Sequence, residues 1–127
     1  MRRYSRIFSF VPLLLFASAA LADIGDGASF LSQCSEESLK KIHQQDQREY
    51  LYKLNYCVIF VTGVIHGHYA SRAAYKQKPL FCLPPKLSPV ELTGSVVAII
   101  QMAPEKQDLF AAALALQGLA ESYPCKN

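Results

Sequence analysis

The stretch YLYKLNYCVIFVTGVI, residues 50–65, decides the fold, because its apolar side chains recur at the spacing of an α-helix. A helix places residues three and four positions apart on one face, so this pattern gives a single apolar stripe that includes a cysteine. A strand over the β-branched run 58–64 is the alternative, but the helical period continues on both sides of that run and favours the helix. The stripe consists of Tyr50, Leu54, Cys57, Val58, Val61 and Ile65.

The chain after this helix predicts two more helices, separated by clear breaks. Pro84-Pro85 excludes a helix around Cys82, because successive prolines remove backbone donors and favour extended conformations. Ser88-Pro89-Val90-Glu91 then forms a capping box with proline at the first helical position. Pro104 is expected to end that helix and to open the next one. The predicted buried stripe of the first of these helices is Leu92, Val96, Ile99, Ile100 and Ala103.

Two segments are less regular. The polar residues 38–49 are compatible with a helix or a loop. The last predicted helix contains the run 109–116, which is apolar on every side. A helix without a polar face must be covered on several sides. It is therefore either central in the bundle or also part of a dimer surface.

The start of the chain has the three parts of a secretory signal. A basic beginning is followed by an apolar run over 11–20 and by the small-x-small site Ala20-Leu21-Ala22. The apolar run is too short to span a bilayer, which takes about 20 residues; a retained anchor is the alternative. We therefore expect residues 1–22 to be a removed signal peptide and residues 23–127 to be one exported helical domain.

Removal of the signal changes the charge of the protein. The formal net charge of +3 comes entirely from Arg2, Arg3 and Arg6, and the other 10 Lys and Arg balance 10 Asp and Glu. A neutral domain lacks the basic surface that nucleic-acid binding needs, so we predict no nucleic-acid partner. No membrane association is expected after signal removal. The remaining length, 127 − 22 = 105 residues, fits one domain.

Four cysteines, Cys34, Cys57, Cys82 and Cys125, lie in the exported part. An even number in a small exported domain predicts two disulfides, which help a chain with a limited core to stay folded. Zinc is excluded by spacing, because the intervals of 23, 25 and 43 residues contain no close pair of the kind a structural zinc site needs. The predicted fold class is a small all-α bundle of about four to five helices, held together by disulfides.

Sequence alone allows three pairings of these cysteines, but the predicted layout favours one. The last two helices are joined by a short turn, so we expect them to be antiparallel neighbours. Cys82 precedes the first of them and Cys125 follows the second, which brings the two cysteines together. Cys34 then pairs with Cys57 and joins the N-terminal segment to the long helix.

Three motifs around the cysteines occur in a distinctive order. Cys57 is followed after five residues by Gly63-Val64-Ile65, then come Phe81-Cys82-Leu83-Pro84 and the closing Tyr123-Pro124-Cys125. This order resembles the Rap/Tai-type immunity proteins of type VI secretion, over about residues 27–125. The chain departs from the family pattern at Ile59-Phe60, where Gly-Tyr is usual, and at His66, where an acid is usual.

The resemblance implies a small exported helical protein that binds and blocks a peptidoglycan amidase toxin in the periplasm. The expected partner is a cognate toxin, and the expected function is immunity by occlusion of the toxin's active site. Two alternatives stay open. One is a periplasmic stress chaperone that dissociates from a dimer and exposes apolar surface at low pH. The other is a structural accessory protein of an envelope complex.

No pattern of catalytic or metal-binding residues accompanies these motifs. On a helix, His66 and His68 point about 200° apart and cannot share a metal; with His43 they are interpreted as ordinary surface or interfacial histidines. A free nucleophilic thiol is not expected. The chain has no Gly-x-Ser-x-Gly, phosphate-binding loop or His-Glu-x-x-His motif. We predict a non-enzyme with no cofactor and no metal site.

Several surfaces are candidates for contact with a partner. Aromatic side chains recur every four residues at Tyr52, Tyr56 and Phe60; core packing is favoured for them, and a partner or dimer surface is the alternative. Gly63 and Gly67 are four residues apart, and we predict close helix packing at Gly63; the alternative is that Gly67 begins to unwind the helix. Two polar segments, 35–47 and 71–78, are candidates for entering a toxin's cleft, with solvated surface as the alternative for both. The candidate residues are Glu36, Glu37 and Asp46 in the first segment, Arg72, Lys76 and Lys78 in the second, and Tyr52 and Tyr56 on the helix.

Overall fold

The computed structural model of the chain describes residues 24–126. The predicted export signal, residues 1–22, lies outside the described residues. Helices make up most of the described chain, and the prediction of a small all-α bundle with two disulfides is confirmed. The elements are α1 (Gly27–Cys34), α2 (Glu36–Gln45), α3 (Gln47–Ala74), α4 (Pro89–Gln101), a 3₁₀ turn (Pro104–Lys106) and α5 (Ala111–Ser122).

Polar side chains fix where the first four helices begin. Asp26 caps α1, Ser35 caps α2, Asp46 caps α3 and Ser88 caps α4, each by accepting a hydrogen bond from a backbone N–H of the first turn. The capping box of Ser88 with Glu91 is present as predicted. Because Ser35 and Asp46 flank the ten residues of α2, and α3 begins directly after Asp46, most of the polar segment 38–49 is helical.

The core lies on the predicted stripe of α3 and is completed by the other helices. Cys57, Val61 and Ile65 are buried on α3, and His68 continues the same face three residues later. Phe30 from α1 packs against Phe60 with ring centroids 5.6 Å apart. The buried apolar residues are Ile24, Phe30, Cys34, Cys57, Val61, Ile65, Phe81, Leu92, Val96, Val97, Ile100, Ala111, Leu114, Ala115 and Leu119.

The prediction for the last helix, with a run over 109–116 that is apolar on every side, is wrong about where the helix begins. Residues 109 and 110 are not helical, because the N-terminal segment pairs with them: Gly27 N–H donates to the Leu109 carbonyl and Ala111 N–H donates to the Gly25 carbonyl. Phe110 is held extended and is 76% exposed. α5 therefore starts at Ala111 and has an ordinary exposed face. The connection from α4 is also longer than the predicted short turn, and Ala103 lies beyond the end of α4.

Close packing occurs at a different glycine from the one predicted. A side chain at Gly63 would meet nothing within 4 Å, so the prediction of close packing there is wrong. Gly118 on α5 is the position without room, because a Cβ atom there would overlap the side chain of Ile99 on α4. The helical period of α3 did not indicate which face of α5 would approach α4.

The disulfides join the pairs that the sequence analysis favours. Cys34 is bonded to Cys57 and Cys82 to Cys125, with Cα–Cα distances of 5.7 and 4.8 Å. The first bridge is buried between α1 and α3. The second lies near the surface and joins the segment before α4 to the segment after α5.

Candidate functional site

The segment that follows α3 is an exposed, positively charged loop. Residues 75–80, YKQKPL, are all exposed; we call them the basic loop. Tyr75 and Leu80 at its two ends are 76% and 48% exposed, and Lys76 and Lys78 lie between them. Exposed aromatic side chains are enriched at protein–protein interfaces, so this loop is a candidate surface for binding another protein.

The basic loop begins with a defined turn. Gln77 N–H donates to the Arg72 carbonyl and Lys76 N–H donates to the Ala73 carbonyl, the two bonds of a Schellman motif. Lys76 has φ 53°, a left-handed conformation in which glycine is usual. Such strain in a non-glycine residue is more frequent at binding sites than elsewhere. The turn directs the chain away from the axis of α3.

Three side chains from the last turns of α3 hold the backbone of the loop. Arg72 donates from Nε to the Lys78 carbonyl at 2.8 Å and from Nη1 to Gln77 Oε1 at 2.6 Å. His68 Nε2 accepts a hydrogen bond from Leu80 N–H at 3.1 Å. Just beyond the loop, the Tyr69 hydroxyl donates to the Phe81 carbonyl at 3.2 Å. Because these donors and acceptors lie within five residues of one helix, α3 fixes the loop as a unit.

The far end of the basic loop is anchored in the core. The Phe81 side chain is fully buried and stacks on the His68 ring, with centroids 4.8 Å apart and planes 19° apart. Tyr69 contacts the same phenyl ring edge-on at 5.4 Å. Cys82 follows at once, and its N–H donates to the Tyr123 carbonyl at 2.9 Å beside the disulfide to Cys125. The far end of the exposed loop is therefore fixed in the core and tied by the disulfide to the segment after α5.

The loop lies in a part of the chain without acidic side chains. None of residues 50–90 is Asp or Glu, so no carboxylate in this stretch offsets its cations. Burial lowers the pKa of His68 below its ordinary value of 6.5, and the nearby positive charge of Arg72 lowers it further. Both effects favour the neutral imidazole that accepts from Leu80. The cations of the stretch are Lys53, Arg72, Lys76, Lys78 and Lys86.

The acidic candidate residues lie elsewhere. Asp46 caps α3 and accepts from the N–H groups of Arg48 and Glu49, so it has a structural role. It is 26 positions before Arg72 on the same helix, a distance of about 39 Å at 1.5 Å per residue. Glu36 and Glu37 are exposed in the first turn of α2. The two predicted segments therefore cannot form one site.

Helix α2 has charges of both signs on its exposed side. Lys41 Nζ contacts Glu37 Oε1 at 2.8 Å, and this hydrogen bond lowers the pKa of the Glu37 carboxyl. An exposed pair of this type contributes little to stability. The candidate segment 35–47 therefore consists mainly of a regular helix with solvated side chains, and it does not project from the domain as a loop.

The aromatic candidates on α3 divide between core and surface. Phe60 packs on Phe30, and Tyr56 is half-buried against the core. Tyr52 is 68% exposed, one helical turn before Tyr56. Only one of the three aromatic side chains is therefore well exposed to a partner.

A groove lies between α2, the first half of α3 and α4. This groove encloses about 560 Å³ and has an apolar floor that includes Leu39, Leu54 and Val97. Glu36 and Lys40 are at its edge, and the rings of His43 and Tyr50 meet edge-on at 4.7 Å beside it. With one acid and one base at its edge, the groove has no charge preference that would indicate an occupant.

Residues 24–126 hold neither a cluster of metal ligands nor a free thiol. No group of three or more His, Cys, Asp or Glu side chains in this range is placed to hold a metal ion. All four cysteines are in disulfides. Within the same range, no helix has the length and apolar character needed to cross a bilayer.

Sequence reasoning missed four residues of this site: His68, Tyr69, Tyr75 and Leu80. His68 was interpreted as a surface or interfacial histidine, but it is only 8% exposed. A signal for its burial was available, because position 68 extends the buried stripe of 57, 61 and 65 by one further turn. No local signal indicated that its acceptor would be used by Leu80, twelve residues away.

The comparisons with known proteins agree with the resemblance found in the sequence. The family model described as Rap1a immunity proteins matches residues 26–125, which include all of the helices and both disulfides. No curated protein and no solved structure matches the chain.

Proposed function

The chain belongs to the Rap1a immunity protein family, and we propose that its basic loop blocks the active-site cleft of a cognate toxin. The toxin we propose is a peptidoglycan amidase delivered by type VI secretion. The protein meets it in the periplasm, after export and removal of residues 1–22. In this role the chain is an inhibitor and not an enzyme, and it needs no cofactor.

One observation carries this proposal: the side chains of the basic loop are exposed while its backbone is fixed. Arg72 and His68 bond the loop from α3, and Phe81 with the Cys82–Cys125 disulfide anchors its end. A segment fixed in this way loses little conformational freedom when it enters a cleft. Less of the free energy gained from contacts with the toxin is then offset by the cost of ordering the loop, so binding is tighter.

The composition of the loop supports the same role. Tyr75 and Leu80 can fill apolar subsites, and aromatic residues are frequent among those that dominate binding energy. Lys76 and Lys78 suit a cleft with carboxylates at its edge, because opposite charges speed association and fix orientation. The acidic residues of α2 are less suitable, since Glu37 is already paired with Lys41.

The first experiment identifies the partner. Mature oxidised protein is used to capture the products of neighbouring genes, and captured proteins are identified by mass spectrometry. We expect a cell-wall hydrolase whose amidase activity on purified peptidoglycan falls when the protein is added. Recovery of this chain alone, or of a hydrolase whose activity does not change, would contradict the proposed function. A chaperone would instead suppress aggregation of unrelated unfolded proteins, with low pH as the condition to test.

The second experiment locates the contact surface on the inhibitor. Tyr75→Ala and Lys78→Glu are compared with Glu36→Gln and Glu37→Gln, which change exposed residues of the competing segment. We expect each loop variant to raise the inhibition constant about tenfold or more, as for residues at the centre of an interface. The α2 variants should inhibit like the wild type. The opposite ranking would transfer the contact surface to α2.

A further inference from the structure

We propose that His68 is a positioning residue of the basic loop, and that it holds the loop only while its imidazole is neutral. Acid then loosens residues 78–80 and weakens inhibition of the toxin. The effect on inhibition rests on the proposed function, whereas the effect on the loop can be measured in the free protein.

The geometry requires a neutral ring with its proton on the other nitrogen. Leu80 N–H donates to His68 Nε2 at 3.1 Å, so that nitrogen must carry a lone pair. In imidazolium both ring nitrogens are donors. Protonated Nε2 would direct an N–H at the Leu80 N–H, and two donors cannot bond. The loop therefore loses one of its contacts to α3 in a single protonation step.

Two features of the surroundings of His68 oppose its protonation. Burial disfavours the charged ring, and Arg72 on the next turn of α3 adds a positive charge. The other titratable side chains among residues 66–80 are His66, Tyr69, Tyr75, Lys76 and Lys78. None of these groups is a carboxylate that would stabilise imidazolium.

The direction of the pH effect follows from the lowered pKa of His68. The unfolded or loosened chain takes up the proton more readily than the structure with the loop in place. The contribution of His68 to the fixed loop is complete above the ordinary value of 6.5 and is lost as the pH falls below that value, through the lowered pKa of the folded protein. At neutral pH the loop is held.

Loosening is local because the other contacts do not depend on His68. Arg72 still bonds Lys78 and Gln77, Tyr69 still bonds Phe81, and the Cys82–Cys125 disulfide still ties the far end of the loop to the C-terminal segment. We expect the amide of Leu80 to lose protection from hydrogen exchange, while amides inside α3 and α5 keep theirs. Local opening without global unfolding is ordinary for loops held by few bonds.

Two substitutions of His68 separate its role as a hydrogen-bond acceptor for Leu80 from its ability to become positively charged. His68→Gln places an amide oxygen where Nε2 stands, so it keeps an acceptor that does not titrate. His68→Phe keeps a ring against Phe81 but removes the acceptor at every pH. His66→Gln, an exposed histidine on the same helix, is the control for removal of a histidine without contact to the loop.

The experiment measures hydrogen exchange of the Leu80 amide in mature oxidised protein from pH 7.5 to 4.5, corrected for intrinsic exchange. In the wild type and in the control variant His66→Gln, we expect protection of the Leu80 amide to fall about fivefold across this range. A change of this size corresponds to the loss of one hydrogen bond. In His68→Gln protection should stay constant, and in His68→Phe it should be low throughout. Thermal unfolding of each variant shows that it is folded.

Two outcomes would overturn the positioning role of His68, and a third would overturn its effect on inhibition. Leu80 protection in the wild type could be independent of pH, or His68→Gln could lose protection in acid as the wild type does. If protection changes as expected but amidase inhibition has no matching pH profile in the wild type and in His68→Gln, His68 positions the loop without affecting inhibition. Failure to capture any toxin would concern the proposed function alone, because the exchange measurement does not use the toxin.

Discussion

The interface of α4 with α5 and the basic loop are held by different kinds of interaction. At the interface, Gly118 fits against Ile99 with no space for one more carbon atom. In the basic loop every residue is exposed, and the backbone is held by a hydrogen bond that Arg72 donates to the Lys78 carbonyl and one that His68 accepts from the Leu80 N–H. The first region is determined by shape in a dry interior, whereas the second is determined by a few directional bonds at the surface.

This difference separates stability from binding. A change at a tightly packed contact affects the whole cooperative fold, because interiors have density close to that of crystals. A change in the loop removes one bond of about 1 kcal/mol and leaves the helices in place. The side chains that would contact a toxin can therefore vary without unfolding the domain, provided that α3 continues to hold the loop.

The largest expected effect comes from removal of a disulfide. Replacing Cys34 and Cys57 by alanine, or Cys82 and Cys125 by alanine, should each lower the free energy of unfolding by about 3 to 4 kcal/mol, because the unfolded chain gains conformational freedom. Urea unfolding of the two double variants measures this loss.

The two disulfides should differ in their effect on the loop. Only the Cys82–Cys125 bridge lies next to the loop, where it ties the residue after Phe81 to the C-terminal segment, so only that double variant should lose protection at the Leu80 amide under native conditions. Equal loss of Leu80 protection in both variants would mean that the interior and the loop form one cooperative unit.

The next effect compares two glycines. Gly118→Ala should destabilise the protein by about 1 to 3 kcal/mol, since the new methyl group overlaps the Ile99 side chain. Gly63→Ala is the matched control, with open space around it, and should stabilise α3 by up to about 1 kcal/mol. Thermal or urea unfolding of both variants tests the contrast. A Gly118→Ala protein as stable as Gly63→Ala would show that α4 and α5 can separate at no cost.

The smallest effect on stability is expected at Arg72. Arg72→Lys keeps the positive charge but cannot bond Lys78 and Gln77 together, because lysine lacks the planar fork of guanidinium. The free energy of unfolding should fall by no more than about 1 kcal/mol. Exchange at the amides of Lys78 and Leu80 should nevertheless increase, and inhibition should weaken. A global loss as large as that of Gly118→Ala would place Arg72 with the interior instead of the loop.

The sequence predicted the parts of the fold that depend on neighbours along the chain. The helix over 50–65, the capping box of Ser88 with Glu91 and the break at Pro84-Pro85 each follow from local rules of backbone geometry. Prediction failed where a distant segment decided the outcome. Residues 109 and 110 were expected to be helical, but Gly25 and Gly27 bond to the backbone on either side of Phe110 and keep it extended.

The candidate site was only partly predictable for the same reason. Arg72, Lys76 and Lys78 could be named because charged residues near a helix end are visible in the sequence. Asp46 was a plausible contact residue by its charge, but its carboxylate caps α3. The role of His68 in holding the loop was not predicted, because it depends on a hydrogen bond from Leu80 and on stacking against Phe81, both of which are distant along the chain.

By itself the sequence determined the helical class of this protein, the starts of its main helices and the presence of four cysteines that can form two disulfides. It also predicts an export signal over residues 1–22. These properties depend on periodicity, capping and composition, which act within a few residues. Only the tertiary structure decided that Gly118 receives Ile99, that His68 is buried, and that Arg72 and His68 fix an exposed loop. Such contacts depend on the angle and depth at which helices dock, and those are set by the shape of all the packed side chains together.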